Sequence, residues 1–238
     1  MTFLEAIQRF CKAVGISSPS AAVASTSASV LQIVELANQE GRALSRRGDW
    51  QELTFECTFT TVATESQGTL ASIIGGTQTL RKIVNETIWN RTTQQPVYGP
   101  LSKKVWQARK ALTATGPFSE YRIRENTLRM YPVPTAGQTC YFEYVSACWI
   151  QATGGGAFKV NASVDTDVIL LNEELFMAGL EWRWLRKKGL SYAEEFQSYE
   201  SLVRYELGVN ATKATHQMDG GGNMTRPGVY VPSGTWNL

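Results

Sequence analysis

The stretch EGRALSRRGDWQELTFECTFTTV, residues 40–62, contains an abrupt change of hydrophobic periodicity. A helix is predicted from about Ser29 to Arg47, because apolar residues recur there at three- and four-residue steps. These residues are Val30, Val34, Ala37, Gly41 and Leu44. After Trp50 every second residue is apolar, as in a half-buried strand: Leu53, Phe55, Cys57 and Phe59. The chain is therefore predicted to pass directly from a helix into a β region.

The junction carries Arg47-Gly48-Asp49, the tripeptide that adhesion ligands present to integrins. Arg46 and Arg47 complement the negative end of the preceding helix, and Gly48 is predicted to close it in the left-handed conformation. An adhesion loop would have turn-forming residues on both sides, whereas here a helix precedes and a strand follows. The tripeptide is therefore interpreted as a helix-to-strand junction, with Trp50 packing it onto the core.

Helical patterns also occur near both ends of the chain. Residues 2–14 are predicted to form a helix that begins with a Thr2–Glu5 capping box and ends at Gly15. In the second half, Asp165 or Asp167 is expected to cap a helix that ends before Gly189. A final helix is predicted over SYAEEFQSYESLVRYEL, residues 191–207, with Tyr192, Phe196, Tyr199, Leu202 and Leu207 on its packed face.

Residues 51–150 have mainly β character. EYRIRENTLRMYP, residues 120–132, predicts a hairpin with Glu125-Asn126 at the turn, and residues 139–150 predict a second strand. A short helix is possible over residues 101–112. The glycine-rich TGGGAFKVN, residues 153–161, is interpreted as a flexible linker, because no Gly-Lys-Ser/Thr follows as in a phosphate-binding loop.

Together these patterns predict an α+β fold. Helical pairs from the two halves, residues 1–49 and 163–210, are expected to form one helical bundle. Residues 50–162 are expected to form an inserted, small antiparallel β-sandwich or barrel. Residues 211–238 are expected to form an extended C-terminal arm.

Composition argues against several functions. The 238 residues carry a net charge of only +2 and no block of like charges, so bulk attraction to nucleic acid or an acidic membrane is not indicated. No segment approaches the roughly 20 apolar residues of a membrane span. Four dispersed cysteines without a C-x-x-C pair indicate buried thiols, and the single histidine, His216, lies in a polar stretch. No catalytic, cofactor or metal site is predicted.

Four segments in this order resemble the head-to-tail adaptor (connector) proteins of tailed bacteriophages. They are FLEAIQRFCKAVGIS, VLQIVELANQEGRALSRRGDWQELTFE, LRMYPVPTAGQTCYFEYVS and LLNEELFMAGLEWRWLRKKGLSYAEEFQSYES. The resemblance spans most of residues 3–207 and is closest to the tail-tubular-protein-A-like adaptors of short-tailed phages.

The resemblance implies a structural virion protein without enzymatic activity. Such proteins form a twelve-subunit ring under the portal, extend the DNA channel and provide a platform for the tail or nozzle protein. DNA is expected to pass through without sequence-specific binding. The implied location is the head–tail junction of the virion, after assembly in the cytoplasm of the host bacterium.

The C-terminal stretch RPGVYVPSGTWNL fits the portal-gripping arm that several adaptors carry. It combines residues that favour extended backbone with two aromatic anchors, which a segment that stays disordered seldom has. The expected portal-docking residues are Arg226, Pro227, Val229, Tyr230, Val231, Pro232 and Trp236. The glycine triplet at residues 220–222 would act as the tether.

A second expected contact surface lies on EWRWLRKKGLSYAEEF, residues 181–196. Its candidate subunit or portal contacts are Arg183, Trp184, Arg186, Lys187, Lys188, Glu194 and Glu195. The basic side chains either meet an acidic patch on a neighbour, form a solvated helix end, or contact DNA phosphates. Trp182 lies on the apolar stripe, whereas Trp184 lies off it and is the better candidate for an interface anchor.

Two other functional classes remain open from sequence. A nucleic-acid-binding helical module of a phage or bacterium would need a basic face, which the near-neutral charge does not indicate. An enzyme would need a carboxylate pair acting as general acid and base, and no pair is distinguished by its spacing.

Overall fold

The computed structural model describes residues 1–76, 78–111, 116 and 118–210. Within this part of the chain the helices are α1 (Phe3–Ala13), α2 (Ala28–Arg47), α3 (Leu70–Ile74), α4 (Lys103–Ala111), α5 (Glu173–Lys188) and α6 (Ala193–Asn210). The strands are β1 (Thr54–Thr60), β2 (Ser66–Thr69), β3 (Leu80–Ile83), β4 (Trp89–Asn90), β5 (Gln95–Pro96), β6 (Glu120–Arg124), β7 (Thr127–Tyr131), β8 (Thr139–Ser146), β9 (Ile150–Gln151), β10 (Phe158–Lys159) and β11 (Val168–Ile169). Helices and antiparallel sheets together confirm the α+β class.

The helices pack around α5, which contacts α1, α2 and α6. The predicted capping box of α1 is present: Thr2 accepts a hydrogen bond from the Glu5 backbone, and the Glu5 side chain accepts one from the Thr2 backbone. Trp149, which follows β8, is fully buried in this helical core and stacks on Phe176 of α5 with ring centroids 5.5 Å apart. The helical core therefore draws side chains from both parts of the chain.

A second apolar core lies between β-strands. The long strand β8 pairs with β1 from Thr54↔Val145 to Thr60↔Thr139, and with β3 and β4 on its other edge. The predicted hairpin is formed by β6 and β7, and β2 extends it to three strands. Glu125 and Asn126 at its turn have φ values of 55° and 54°, the left-handed geometry of a two-residue hairpin turn.

The prediction of a linker at residues 153–161 is wrong. This segment contains the turn and the second strand of the β9–β10 hairpin, and β11 adds to the other edge of β9. Gly154 and Gly155 have φ values of 75° and 78°, so the glycines supply a turn. The Trp149 indole donates a hydrogen bond to the carbonyl of Val160 at 2.6 Å, which fixes the segment to the helical core.

The predicted N-terminal caps of α5, Asp165 or Asp167, are also wrong, whereas its predicted end before Gly189 is confirmed. Asn172 caps this helix by accepting from the backbone N–H groups of Glu174 and Leu175. Asp165 instead accepts from the backbone of Ala22 and Val23 in the Ser/Ala-rich connection after α1. The helix begins later than predicted because residues 168–169 belong to β11.

Candidate interaction surfaces

Glu40 lies at the point where α2, α5 and α6 meet, and it is fully buried. Its carboxylate forms an ion pair with Arg183 and accepts a hydrogen bond from the Tyr199 hydroxyl at 2.6 Å. Gly179 makes room for it, since a Cβ there would overlap the carboxylate. Burial raises the pKa of Glu40, although Arg183 and Tyr199 favour the charged form. This buried polar centre fixes the three helices relative to one another.

The Arg-Gly-Asp junction is engaged within the chain. Arg47 donates two hydrogen bonds to Glu200 of α6, at 2.5 and 2.8 Å, and Asp49 pairs with Lys82 of β3 at 2.7 Å. Both charged groups of the tripeptide therefore have partners, which argues against an adhesion role. The predicted anchor Trp50 is confirmed: it is buried, and its indole donates to the carbonyl of Leu44 at 2.7 Å.

The end of α2 differs from the prediction in one respect. Gly48 has φ −160°, which is extended backbone and not the left-handed closure that was expected. A Cβ at this position would overlap a terminal methyl group of Leu207 in α6, so the leucine side chain would have to move. Arg81 of β3 satisfies the helix end by donating to the carbonyls of Ser45 and Gly48, at 2.8 and 2.6 Å.

Two of the expected contact residues on α5 point into the chain. Arg183 pairs with the buried Glu40. Trp184 is only 7% exposed and packs edge-to-face on Phe10 of α1, with ring centroids 6.1 Å apart. The expectation of a surface position for Trp184 is wrong, because α5 is covered by other helices on more than one side. Neither side chain is available as an exposed anchor.

The other expected contact residues lie at the surface. Arg186 and Lys187 are exposed near the end of α5. Lys188 donates to Gln32 at 3.1 Å and lies over the Trp184 ring, 4.3 Å from its centroid. Glu194 is exposed and Glu195 is half-buried in the first turn of α6. Neither glutamate forms an ion pair with a described residue, and their role in an interface stays a prediction.

Apolar side chains extend this surface. Leu190 and Tyr192 are exposed where α5 turns into α6, and Phe196 packs on Trp182 while keeping part of its ring in solvent. Farther along α6, Tyr205 and Val209 are 68% and 61% exposed. Tyr205 and Val209 are four residues apart and lie off the predicted packed face of this helix. This spacing places them side by side on the exposed side of α6, which the sequence analysis missed.

A groove of about 590 Å³ lies beside the end of α6. It is lined by Asp49, Gln51, Thr54, Val84, Glu143, Leu207 and Asn210. Asn210, the last described residue of α6, lies at the edge of this groove. The expected arm residues Arg226, Pro227, Val229, Tyr230, Val231, Pro232 and Trp236 lie outside the described residues.

Burial keeps three of the described thiols protonated. Burial raises the pKa of the Cys140 thiol to about 11, and it also raises the pKa values of Cys11 and Cys57. A protonated thiol is a poor nucleophile and a poor metal ligand. No group of three or more His, Cys, Asp or Glu side chains within the described ranges is placed to hold a metal ion. Among the described helices, none is long and apolar enough to cross a membrane.

Comparison with known families decides the identity of the chain. The family model described as SU10 adaptor protein matches residues 1–226. The chain belongs to this family. The match confirms that the protein is a structural adaptor of a bacteriophage, whereas the short-tailed, tail-tubular-protein-A-like subtype stays a prediction. No curated protein sequence matches the chain.

Proposed function

We propose that this SU10-family adaptor forms a ring of twelve subunits under the portal vertex of its phage, at the head–tail junction. The ring extends the DNA channel and provides the platform for the tail or nozzle protein of a short-tailed virion. The family match over residues 1–226 carries the proposal. Assembly takes place in the host cytoplasm, and the protein has no enzymatic role.

A closed ring needs two different faces on each subunit that fit one another. We assign one of these two faces to the α5–α6 corner. It combines exposed cations, Arg186 and Lys187, with the exposed apolar side chains Leu190 and Tyr192. Interfaces of this kind bury an apolar centre inside a polar rim. The acidic residues Glu194 and Glu195 lie on the same corner and add the opposite charge.

The division of the chain supports this role. Residues 1–49 and 163–210 form the helical ring body, and residues 50–162 form a β module beside it. The helical body is stiffened by the Glu40–Arg183 pair, and the β module has its own apolar core around Tyr121, Leu128 and Phe142.

The C-terminal arm, residues 211–238, is the portal attachment device. It follows α6 in the sequence, and the last turns of that helix carry the exposed Tyr205 and Val209. Its aromatic anchors are Tyr230 and Trp236, and a glycine triplet at residues 220–222 separates them from the helix. Extended segments of this composition bind by strand addition or by filling a groove on a partner.

Truncation after Met218 tests the arm. We expect the truncated chain to lose at least about tenfold in affinity for the portal ring of the same phage, because the anchors contribute most of such binding energy. The double variant Tyr230→Ala/Trp236→Ala should lose nearly as much, whereas Gly221→Ser in the tether serves as the matched control and should bind normally. If the truncated chain keeps both its portal affinity and its unfolding temperature, the proposed role of residues 211–238 in portal attachment is rejected.

A further inference from the structure

The outer face of the β2–β7–β6 sheet carries an unusual concentration of positive charge. In the β6–β7 hairpin, Tyr121, Leu128 and Met130 point into the apolar core and are fully buried. Side chains alternate across a strand, so the neighbouring arginines point to the opposite face. Arg122 and Arg129 lie directly opposite one another in the strand register. Like charges in this position repel and are tolerated where an anion or solvent faces them.

Helix α4 lies on the same face. Its buried Trp106 packs edge-to-face on Tyr131 of β7, with ring centroids 6.4 Å apart. Arg109 pairs with Glu120 of β6 at 2.9 Å, and Lys110 pairs with Glu65 beside β2. The helix thus adds its own cations to those of the sheet. We call the surface of α4 and the β6–β7 hairpin the α4–hairpin face. Its basic residues are Lys103, Lys104, Arg109, Lys110, Arg122, Arg124 and Arg129.

The charge balance of this face differs from that of the chain. Its seven basic side chains are accompanied by three acidic ones, Glu65, Glu120 and Glu125, which leaves a net charge of +4. The whole chain has a net charge of +2, so the remaining residues carry a net −2. Lys103, Lys104 and Arg122 form no ion pair with any described residue. The near-neutral total therefore conceals a basic face on an otherwise slightly acidic molecule.

We propose that the α4–hairpin face binds the phosphate backbone of double-stranded DNA. The centres of protein interfaces are depleted of charge and rich in aromatic anchors. Here the aromatic Trp106 lies buried, and Val105 is the one exposed large apolar side chain of α4 beside its four cations. Dispersed Lys and Arg side chains on one face are the footprint of phosphate contact without sequence readout. DNA binding by this face does not depend on ring formation. That the face is turned toward the DNA channel rests on the proposed adaptor function.

The ion pairs on this face suit a sliding contact. Lys110 and Arg129 share Glu65, and Arg124 pairs with the neighbouring Glu125 at 3.1 Å. The Arg124–Glu125 pair is exposed, and such pairs are weak and exchange readily with other anions, whereas the carboxylate of Glu65 is half-buried. A cation can therefore leave its carboxylate for a passing phosphate and return, so the face attracts DNA without holding it at one register.

Fluorescence anisotropy with a labelled 30-base-pair duplex tests the proposal on the full-length chain. The variant Lys103→Gln/Lys104→Gln/Arg122→Gln removes three cations from the α4–hairpin face. The control Arg9→Gln/Lys12→Gln/Arg46→Gln removes three exposed cations from α1 and α2, outside both this face and the α5–α6 corner. We expect at least about tenfold weaker binding for the first variant at 50 mM salt, and a salt dependence shallower by about two to three in log–log slope. The control should change affinity by less than about threefold.

Three results with the duplex alone would overturn the DNA assignment. They are no binding of the wild-type chain at 50 mM salt, an equal loss in the two variants, or no loss in the first variant. Poly-glutamate bound as tightly as the duplex would assign the face to an acidic protein instead. If the chain forms the portal complex normally but does not bind the duplex, only the DNA-binding role of the α4–hairpin face is rejected. If the chain binds the duplex but forms no complex with the portal ring, only the proposed adaptor function is rejected.

Discussion

The helical region and the β region place their charged groups differently. Between α2, α5 and α6 the fully buried Glu40 is held by Arg183 and Tyr199. Between the strands the core consists of apolar and weakly polar side chains such as Tyr121, Met130 and Phe142, and the ion pairs lie outside. A buried ion pair adds little net stability but penalises every arrangement that breaks it. We infer that the helices are held in one arrangement, while the outer β surface tolerates changes of charge.

The largest effect is expected for Glu40→Ala. Removing the carboxylate leaves the guanidinium of Arg183 and the hydroxyl of Tyr199 without their buried partner. We expect a loss of about 3–5 kcal/mol in the free energy of unfolding. Denaturant unfolding followed by circular dichroism measures it. A loss below about 1 kcal/mol would show that the buried centre does not hold the helices.

Gly41→Ala is expected to have the next largest effect. A Cβ at this position would overlap the ring of Trp149, which is buried at the contact between the helical core and the β region. Overpacking of this kind costs about 1–3 kcal/mol. Gly208→Ala is the matched control, because this glycine is also helical and a Cβ there meets nothing within 4 Å. It should stabilise the chain by about 0.5–1 kcal/mol; destabilisation by both variants would contradict the packing argument.

Asp167→Asn tests a buried charge outside the helices. Burial acts to raise the pKa of Asp167, but Lys159 at 2.7 Å and the backbone N–H groups of Ser163 and Val164 outweigh it, and the net pKa is lowered. The stabilisation is therefore present above the unfolded-state pKa, near 4, and is lost as pH falls through the folded-state value. We expect the variant to lose about 1–2 kcal/mol at pH 7.

The pH profile of unfolding checks this assignment. The difference between wild type and Asp167→Asn should narrow as pH falls through the lowered folded-state pKa, because Asp167 is then protonated and both chains are neutral at this position. Glu125→Gln, an exposed carboxylate in the hairpin turn, is the control and should change little at any pH. A difference that stays constant from neutral to acid pH would contradict the charge-based account.

The smallest effect is expected for Glu120→Ala. This residue also pairs with an arginine, Arg109, but the pair lies at the surface of the β region. We expect a loss below about 1 kcal/mol, which salt should reduce further. A loss as large as that of Glu40→Ala would remove the distinction between the two regions.

Local patterns predicted much of the fold. The capping box of α1, the periodicity of α2 and the Glu125-Asn126 turn each depend on neighbours within a few residues, and all three are confirmed. The β9–β10 hairpin and the Asn172 cap were missed because short segments are decided by tertiary contacts, such as the bond from Trp149 to Val160. The sequence therefore predicted which long segments are helices or strands, but it did not predict where the short elements begin and end.

The interaction surfaces were predicted less completely. The exposure of Arg186 and Lys187 follows from their place at a helix end. The inward orientation of Arg183 depends on Glu40, which is 143 residues away. The α4–hairpin face was missed because its cations are dispersed along the sequence and share a surface only when α4 packs on the hairpin. The positive charge of this face is apparent from the three-dimensional structure but not from the net charge of the chain.

The mass of the purified chain, alone and mixed with the portal ring of the same phage, tests the central claim most directly. Light scattering after size separation should show a complex that contains about twelve copies of the chain per portal ring. Such a complex would support the adaptor ring and direct attention to residues 211–238 as the attachment device. A lasting monomer that elutes separately from the portal would contradict the proposed function.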